Sequence, residues 1–111
     1  MGNQAELVFD ALGEPVRRRI IELLRDGPMP VGALARELPV GRPAVSKHLK
    51  VLSAAGLTAH TPVGTSNHYS LQPEGLEVAR KWLTYRWNTV LKAYAEAAHK
   101  PRATASKEKT E

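Results

Sequence analysis

The chain has 111 residues, 42% hydrophobic and 24% charged, enough for one small domain with a core and a soluble surface. Sixteen Lys and Arg against eleven Asp and Glu leave a net charge of +5, which favours an anionic partner, nucleic acid first. The absence of cysteine excludes disulfides, thiolate catalysis and thiolate-ligated zinc. The opening Met1–Glu6 lacks the basic-then-apolar order of a signal peptide, and no apolar run approaches the ~20 residues of a membrane helix, so the cytoplasm is the expected compartment and no membrane partner is expected.

Gln4 to Leu12 carries Leu7, Val8, Ala11 and Leu12 on one side and predicts a short first helix. Gly13-Glu14-Pro15 breaks it. Pro15 suits the first turn of a second helix, where the N–H that proline lacks has no partner anyway. That helix runs to about Asp26, with Val16, Ile20, Leu23 and Leu24 as its apolar stripe and Arg17, Arg18, Glu22 and Arg25 facing outward. Gly27-Pro28 ends it. A third, short helix spans about Val31 to Leu38, with Val31, Leu34, Ala35 and Leu38 inward, and Pro39-Val40-Gly41 is a turn. The fourth helix starts near Arg42-Pro43 and ends at Gly56, a left-handed cap. Val45, Leu49 and Leu52 fall at i, i+4 and i+7 and face the core, which leaves Arg42, Ala44, Ser46, Lys47, His48 and Lys50 on the other faces.

The hydrophobic period then changes from helical to alternating. Leu57 to Thr61 and His68 to Leu71, separated by Gly64-Thr65-Ser66, predict a β-hairpin with Leu57, Ala59, Tyr69 and Leu71 inward and His60 and His68 outward. Gln72-Pro73-Glu74 starts a last helix that runs to about His99, striped by Leu76, Ala79, Leu83, Trp87, Val90 and Tyr94 and widened by Trp82. Residues 1–99 are read as one domain and residues 100–111 as a disordered polar tail. The fold class is therefore mainly α with a β-hairpin, in the order of a winged helix-turn-helix, whose second motif helix enters a DNA major groove.

Particular residues match this plan. The stretches 9–20 (FDALGEPVRRRI) and 31–38 (VGALAREL), and above all 42–57 (RPAVSKHLKVLSAAGL), resemble the ArsR/SmtB family of winged helix-turn-helix repressors, over about residues 5–98. The resemblance implies a homodimer, joined through its first and last helices, that represses from an operator in double-stranded DNA. Leu7, Val8, Leu83, Trp87, Val90, Leu91 and Tyr94 are the expected dimer-interface residues. A C2 dimer sets two recognition helices about 34 Å apart and so expects a roughly palindromic operator.

The residues themselves support a DNA interface, which needs cations near phosphates and short polar groups at base edges. Arg42 and Lys47 can reach guanine O6/N7 or a phosphate, and Ser46 can bond either. Pro43 and Ala44 are small enough to let the helix approach and can touch a thymine methyl, while Lys50 suits a phosphate. His48 has two readings, direct DNA contact or packing at the edge of the helix pair. The wing offers Thr65, Ser66, Asn67 and His68 but no fixed charge at its tip, where the family usually has Arg or Lys. Gly41 precedes the recognition helix without a side-chain cap. The competing reading of the motif, a winged helix used for protein contacts, would call for a large apolar patch that this helix lacks.

Many ArsR-type proteins sense metals, through a cysteine pair on the third helix or an Asp/His/Glu set on the last. Neither set is complete here. Glu96 and His99 at i, i+3 and a cross-hairpin pair of His60 and His68 are two-ligand remnants, whereas zinc takes three or four ligands. No metal or other cofactor is expected, with a metalloregulator using an atypical His/Glu site as the alternative. Trp82, Tyr85, Trp87 and Tyr94 are read as interface core, or else as a pocket for a hydrophobic effector whose identity the sequence does not give. An enzyme is not expected, for want of a Gly-rich phosphate loop, of paired carboxylates in a cleft, or of a nucleophile beside a base.

Overall fold

The structure, a computed structural model, describes residues 3–99. Its elements run α1 (Gln4–Leu12), α2 (Pro15–Leu23) with a 3₁₀ turn at Leu24–Asp26, β1 (Met29–Pro30), α3 (Val31–Arg36), α4 (Arg42–Ala54), β2 (Thr58–Val63), β3 (Ser66–Leu71) and α5 (Pro73–His99). Residues to Lys81 form one compact unit, and a second begins at Trp82. The tail expected at 100–111 lies outside the described residues. Among the described residues no helix is long and apolar enough to cross a membrane.

Local chemistry sets the helix ends. Asn3 caps α1 by accepting from the Glu6 N–H at 2.9 Å. Glu14 does the same for α2, its carboxylate accepting from the Arg17 N–H at 3.0 Å, with Pro15 next in sequence. That bond is the main cause holding the Glu14 carboxyl below the usual carboxylate range. Gly41 begins α4 without a side-chain cap, as read from the sequence. At the other end Gly56 takes φ +79°. Its N–H reaches the Ser53 carbonyl at 3.0 Å, and the Leu57 N–H reaches the Leu52 carbonyl at 2.9 Å, the paired bonds of a Schellman cap.

The core of the first unit gathers one face of each helix. Val8 and Ala11 of α1, Ile20 of α2, Leu34 of α3 and Val45, Leu49 and Leu52 of α4 are fully buried and share one cluster with Leu24, Leu57 and Ala79. Full burial of each large aliphatic side chain contributes roughly 1.5–3 kcal/mol relative to exposure. Val8 was expected at a dimer interface, and the structure corrects this. The whole of its surface is used inside the chain, whereas its neighbour Leu7 remains 48% exposed.

The sheet also departs from expectation. It has three antiparallel strands in the order β1-β3-β2, because Met29 pairs with Tyr69 and Pro30 with His68. In the hairpin Thr58 opposes Leu71, His60 opposes Tyr69 and Thr61 opposes His68. Directly opposed residues share a face, so Thr58, His60, Tyr69 and Leu71 lie together, and Ala59 lies on the other side. Thr58 rather than Ala59 is buried, its hydroxyl 2.9 Å from that of Ser53, while Leu71 is 39% exposed.

Candidate nucleic-acid interface

α4 separates its residues by depth. Val45, Leu49 and Leu52 anchor it in the core, and Arg42, Pro43, Ser46, Lys47 and Lys50 stand exposed on the same helix, with Ala44 and His48 half-buried between the two faces. Val51, 38% exposed, is a lone large apolar side chain on this helix surface and makes no patch there. Arg42 lies back toward α3, its guanidinium carbon 3.7 Å from where a Cβ on Gly32 would sit. The guanidinium thus lies near Gly32 of α3, and the residue as a whole stays exposed.

The hairpin tip is Gly64-Thr65, with Gly64 at φ +62°. Thr65, Ser66 and Asn67 are exposed, and the Ser66 hydroxyl donates to the Val63 carbonyl at 3.3 Å, which closes the turn. His68 is half-buried between Thr61 of β2 and Pro30 of β1. His60 packs its ring against Tyr69, centroids 5.3 Å apart. The register puts His60 and His68 on opposite faces of the sheet, which corrects the idea that they share an ion across the hairpin.

Arg17 also lies on another side than its sequence pattern assigns. Assigned outward, it is half-buried, and its guanidinium donates to the Ala11 carbonyl at 2.6 Å and the Asp10 carbonyl at 3.4 Å and lies 3.3 Å from His48 Nδ1. Arg18 donates to the Leu12 carbonyl at 2.7 Å. Two cations thus satisfy the last carbonyls of α1 and face the negative end of its dipole. The available signal was position: an arginine in the first turn of a helix that follows another after a two-residue break can fold back over the preceding C-terminus.

In the second unit the side chains of Leu83, Trp87, Val90, Leu91 and Tyr94 are all exposed, a continuous apolar stripe at helical spacing on α5. Arg86 stacks over Trp82 with its guanidinium carbon 4.9 Å from the ring centroid. His99 bonds through Nδ1 to the Ala95 carbonyl at 2.7 Å. Among the described residues no group of three or more His, Asp or Glu side chains is placed to hold a metal.

Comparison with known proteins agrees with this architecture. A family profile for a helix-turn-helix domain matches residues 12–61. The HTH-type transcriptional regulator Rv2034 of Mycobacterium tuberculosis is 49% identical over 88 residues, 79% of this chain and 82% of the relative. The transcriptional repressor SdpR of Bacillus subtilis is 33% identical, over 68% of this chain and 84% of its own length. Among solved structures, an ArsR-like transcriptional regulator from Rhodococcus sp. RHA1 superposes with a TM-score of 0.70 at 30% identity, covering 88% of this chain and 95% of that one. The homodimeric winged helix-turn-helix DNA-binding domain Mb0332 of Mycobacterium bovis, a possible ArsR-family regulator, does so with a TM-score of 0.62 at 28% identity, covering 89% and 88%. With a helix-turn-helix whose second helix is sealed on one face and polar and basic on the other, a wing, and these relatives, the chain belongs to the ArsR/SmtB-type family of winged helix-turn-helix transcriptional regulators.

Proposed function

We propose that the chain is a sequence-specific DNA-binding repressor that acts as a homodimer and is not controlled by a transition metal. The observation that carries this is the division of α4: three fully buried aliphatic anchors fix the helix, and Arg42, Ser46, Lys47 and Lys50 remain free for phosphates and base edges. In this reading Pro43 and Ala44 allow close approach, and the hairpin contributes hydrogen bonds from Thr65, Ser66, Asn67 and His68 rather than fixed charge. The apolar stripe of α5 and exposed Leu7 of α1 supply the dimer surface, a reading supported by the homodimeric state of the M. bovis neighbour. The name of the B. subtilis relative supports repression. Metal independence is supported by the ligand chemistry, since Glu96 and His99 make two ligands where a site needs three or four.

The test is selection of duplexes from a random library, followed by affinity measurements from about 50 to 200 mM salt. The expected result is a site with two-fold symmetry, half-site centres about 34 Å apart and a steep fall of affinity with salt. Failure to enrich any duplex, or a flat salt dependence, refutes the proposal.

A further inference from the structure

Arg17 ties together the end of α1, the start of α2 and the recognition helix through one guanidinium. The Arg17–His48 contact has a chemical consequence. A guanidinium has donors only and keeps its proton in proteins, so at 3.3 Å it is His48 Nδ1 that accepts. An imidazole whose Nδ1 lone pair is used in this way carries its proton on Nε2. With Nδ1 turned toward α2, Nε2 is turned away from it. One helical turn earlier on the same face stands Ala44, too small to cover the ring, and both residues are half-buried rather than sealed in the core.

We propose that Arg17 locks His48 as an Nε2–H donor on the DNA-facing helix, so that this position selects acceptors and rejects the amino groups of adenine and cytosine. The partner is a hydrogen-bond acceptor of duplex DNA: a phosphate oxygen, or the N7 or O6 of a purine. The inference rests on the DNA-binding reading above. Arg17 acts as a positioning residue, with all three of its guanidinium nitrogens engaged by α1 and His48.

The first measurement needs no DNA. Nitrogen and carbon NMR of the His48 imidazole in the free protein is expected to show the Nε2–H tautomer, and an Nδ1–H tautomer overturns the proposal. The second uses a duplex selected by the wild-type protein and a random-sequence duplex of equal length. His48→Gln places an amide donor near the position of Nε2 and is expected to bind within about threefold of wild type. His48→Asn keeps an acceptor for Arg17 but loses the outward donor, and is expected to bind about tenfold more weakly. Arg17→Met is expected to weaken binding about threefold without changing the salt slope, and to add nothing in the His48→Asn background. Loss on both duplexes places the acceptor on phosphate, and loss on the selected duplex alone places it on a base; both patterns support the proposal. Wild-type affinity in His48→Asn, equal losses in the Asn and Gln variants, or a salt slope reduced by about one in Arg17→Met overturns it, the last by making Arg17 a phosphate ligand. If Arg17→Met does not fold, the two His48 variants, which leave the bonds from Arg17 to Ala11 and Asp10 intact, decide the matter. If the wild type selects no duplex, the functional reading falls and this inference with it, whatever the tautomer.

Discussion

Gly75→Ala tests a close backbone approach in the first unit. Gly75 is buried in the first turn of α5, and its N–H donates to the Gly56 carbonyl at 3.0 Å. A Cβ added there would sit 2.5 Å from the Gly56 oxygen, 2.6 Å from the Ala55 oxygen and 2.6 Å from the Gly56 carbonyl carbon. All three are backbone atoms, so no side-chain rotation relieves the clash. The opposing strand of chain is held by its own cap: Gly56 is at φ +79°, and the bonds from Gly56 and Leu57 back into α4 fix the carbonyls that the methyl would strike. Two effects compete. Alanine is the better helix former by ~1 kcal/mol. Overpacking costs ~1–3 kcal/mol, and three contacts this short place it at the upper end. The expected net is a loss of ~1–2 kcal/mol, or about 10 °C in Tm for a domain of this size. Gly32→Ala is the matched control. Its added methyl meets the Arg42 guanidinium at an ordinary 3.7 Å, so helix propensity alone should leave stability unchanged or raised by ~0.5–1 kcal/mol. The assay is urea unfolding followed by circular dichroism at one fixed protein concentration, because the stability of a dimer depends on concentration. A Gly75→Ala protein as stable as wild type would refute the close crossing of α5 over the end of α4.

Leu49→Ala empties a fully buried site on the recognition helix and should cost about 2–5 kcal/mol in the same assay, with DNA affinity lost through unfolding rather than through contact. Val8→Ala should likewise reduce stability, by about 2 kcal/mol, and leave the sedimentation coefficient at concentrations well above dimer dissociation unchanged, whereas Leu7→Glu should shift the protein toward monomer in analytical ultracentrifugation. Glu14→Ala should be less stable than wild type at neutral pH. A carboxyl held below its ordinary range by the Arg17 N–H favours the folded state above the unfolded pKa and loses that contribution as pH falls through the folded one, so the gap between the two proteins should close in acid thermal melts. Titration of zinc, nickel, copper or cobalt into the protein–DNA complex should leave DNA bound; release at stoichiometric metal, abolished by His99→Ala, would favour the metalloregulator.

The helices were legible in the sequence because their signals are local. The period of Val45, Leu49 and Leu52, Pro15 at a first turn and Gly56 at a C-terminus each depend on a few neighbours, and the structure has each of them in the expected role. The polar and basic face of α4 followed from the same period, since what is not turned to the core stands outside. The features that only tertiary structure decided involve partners far along the chain. β1 is two residues long, Met29 and Pro30, too short to show alternation, and exists because β3 offers a free edge to which Met29 and Pro30 pair at Tyr69 and His68, far along the chain. The hairpin register differs by one residue between strands from the expected inward set, and a single step is enough to move Ala59, and with it every second side chain, to the other face. Val8 and Leu7 are adjacent on an amphipathic helix, and whether each meets the core of its own chain or stays exposed depends on how α1 packs, not on its pattern. Arg17 lies at the margin of its helix's apolar stripe, where periodicity does not assign a side. The free carbonyls of α1 and the ring of His48, 31 residues away, draw it inward, because a guanidinium leaves water only where acceptors are already in place.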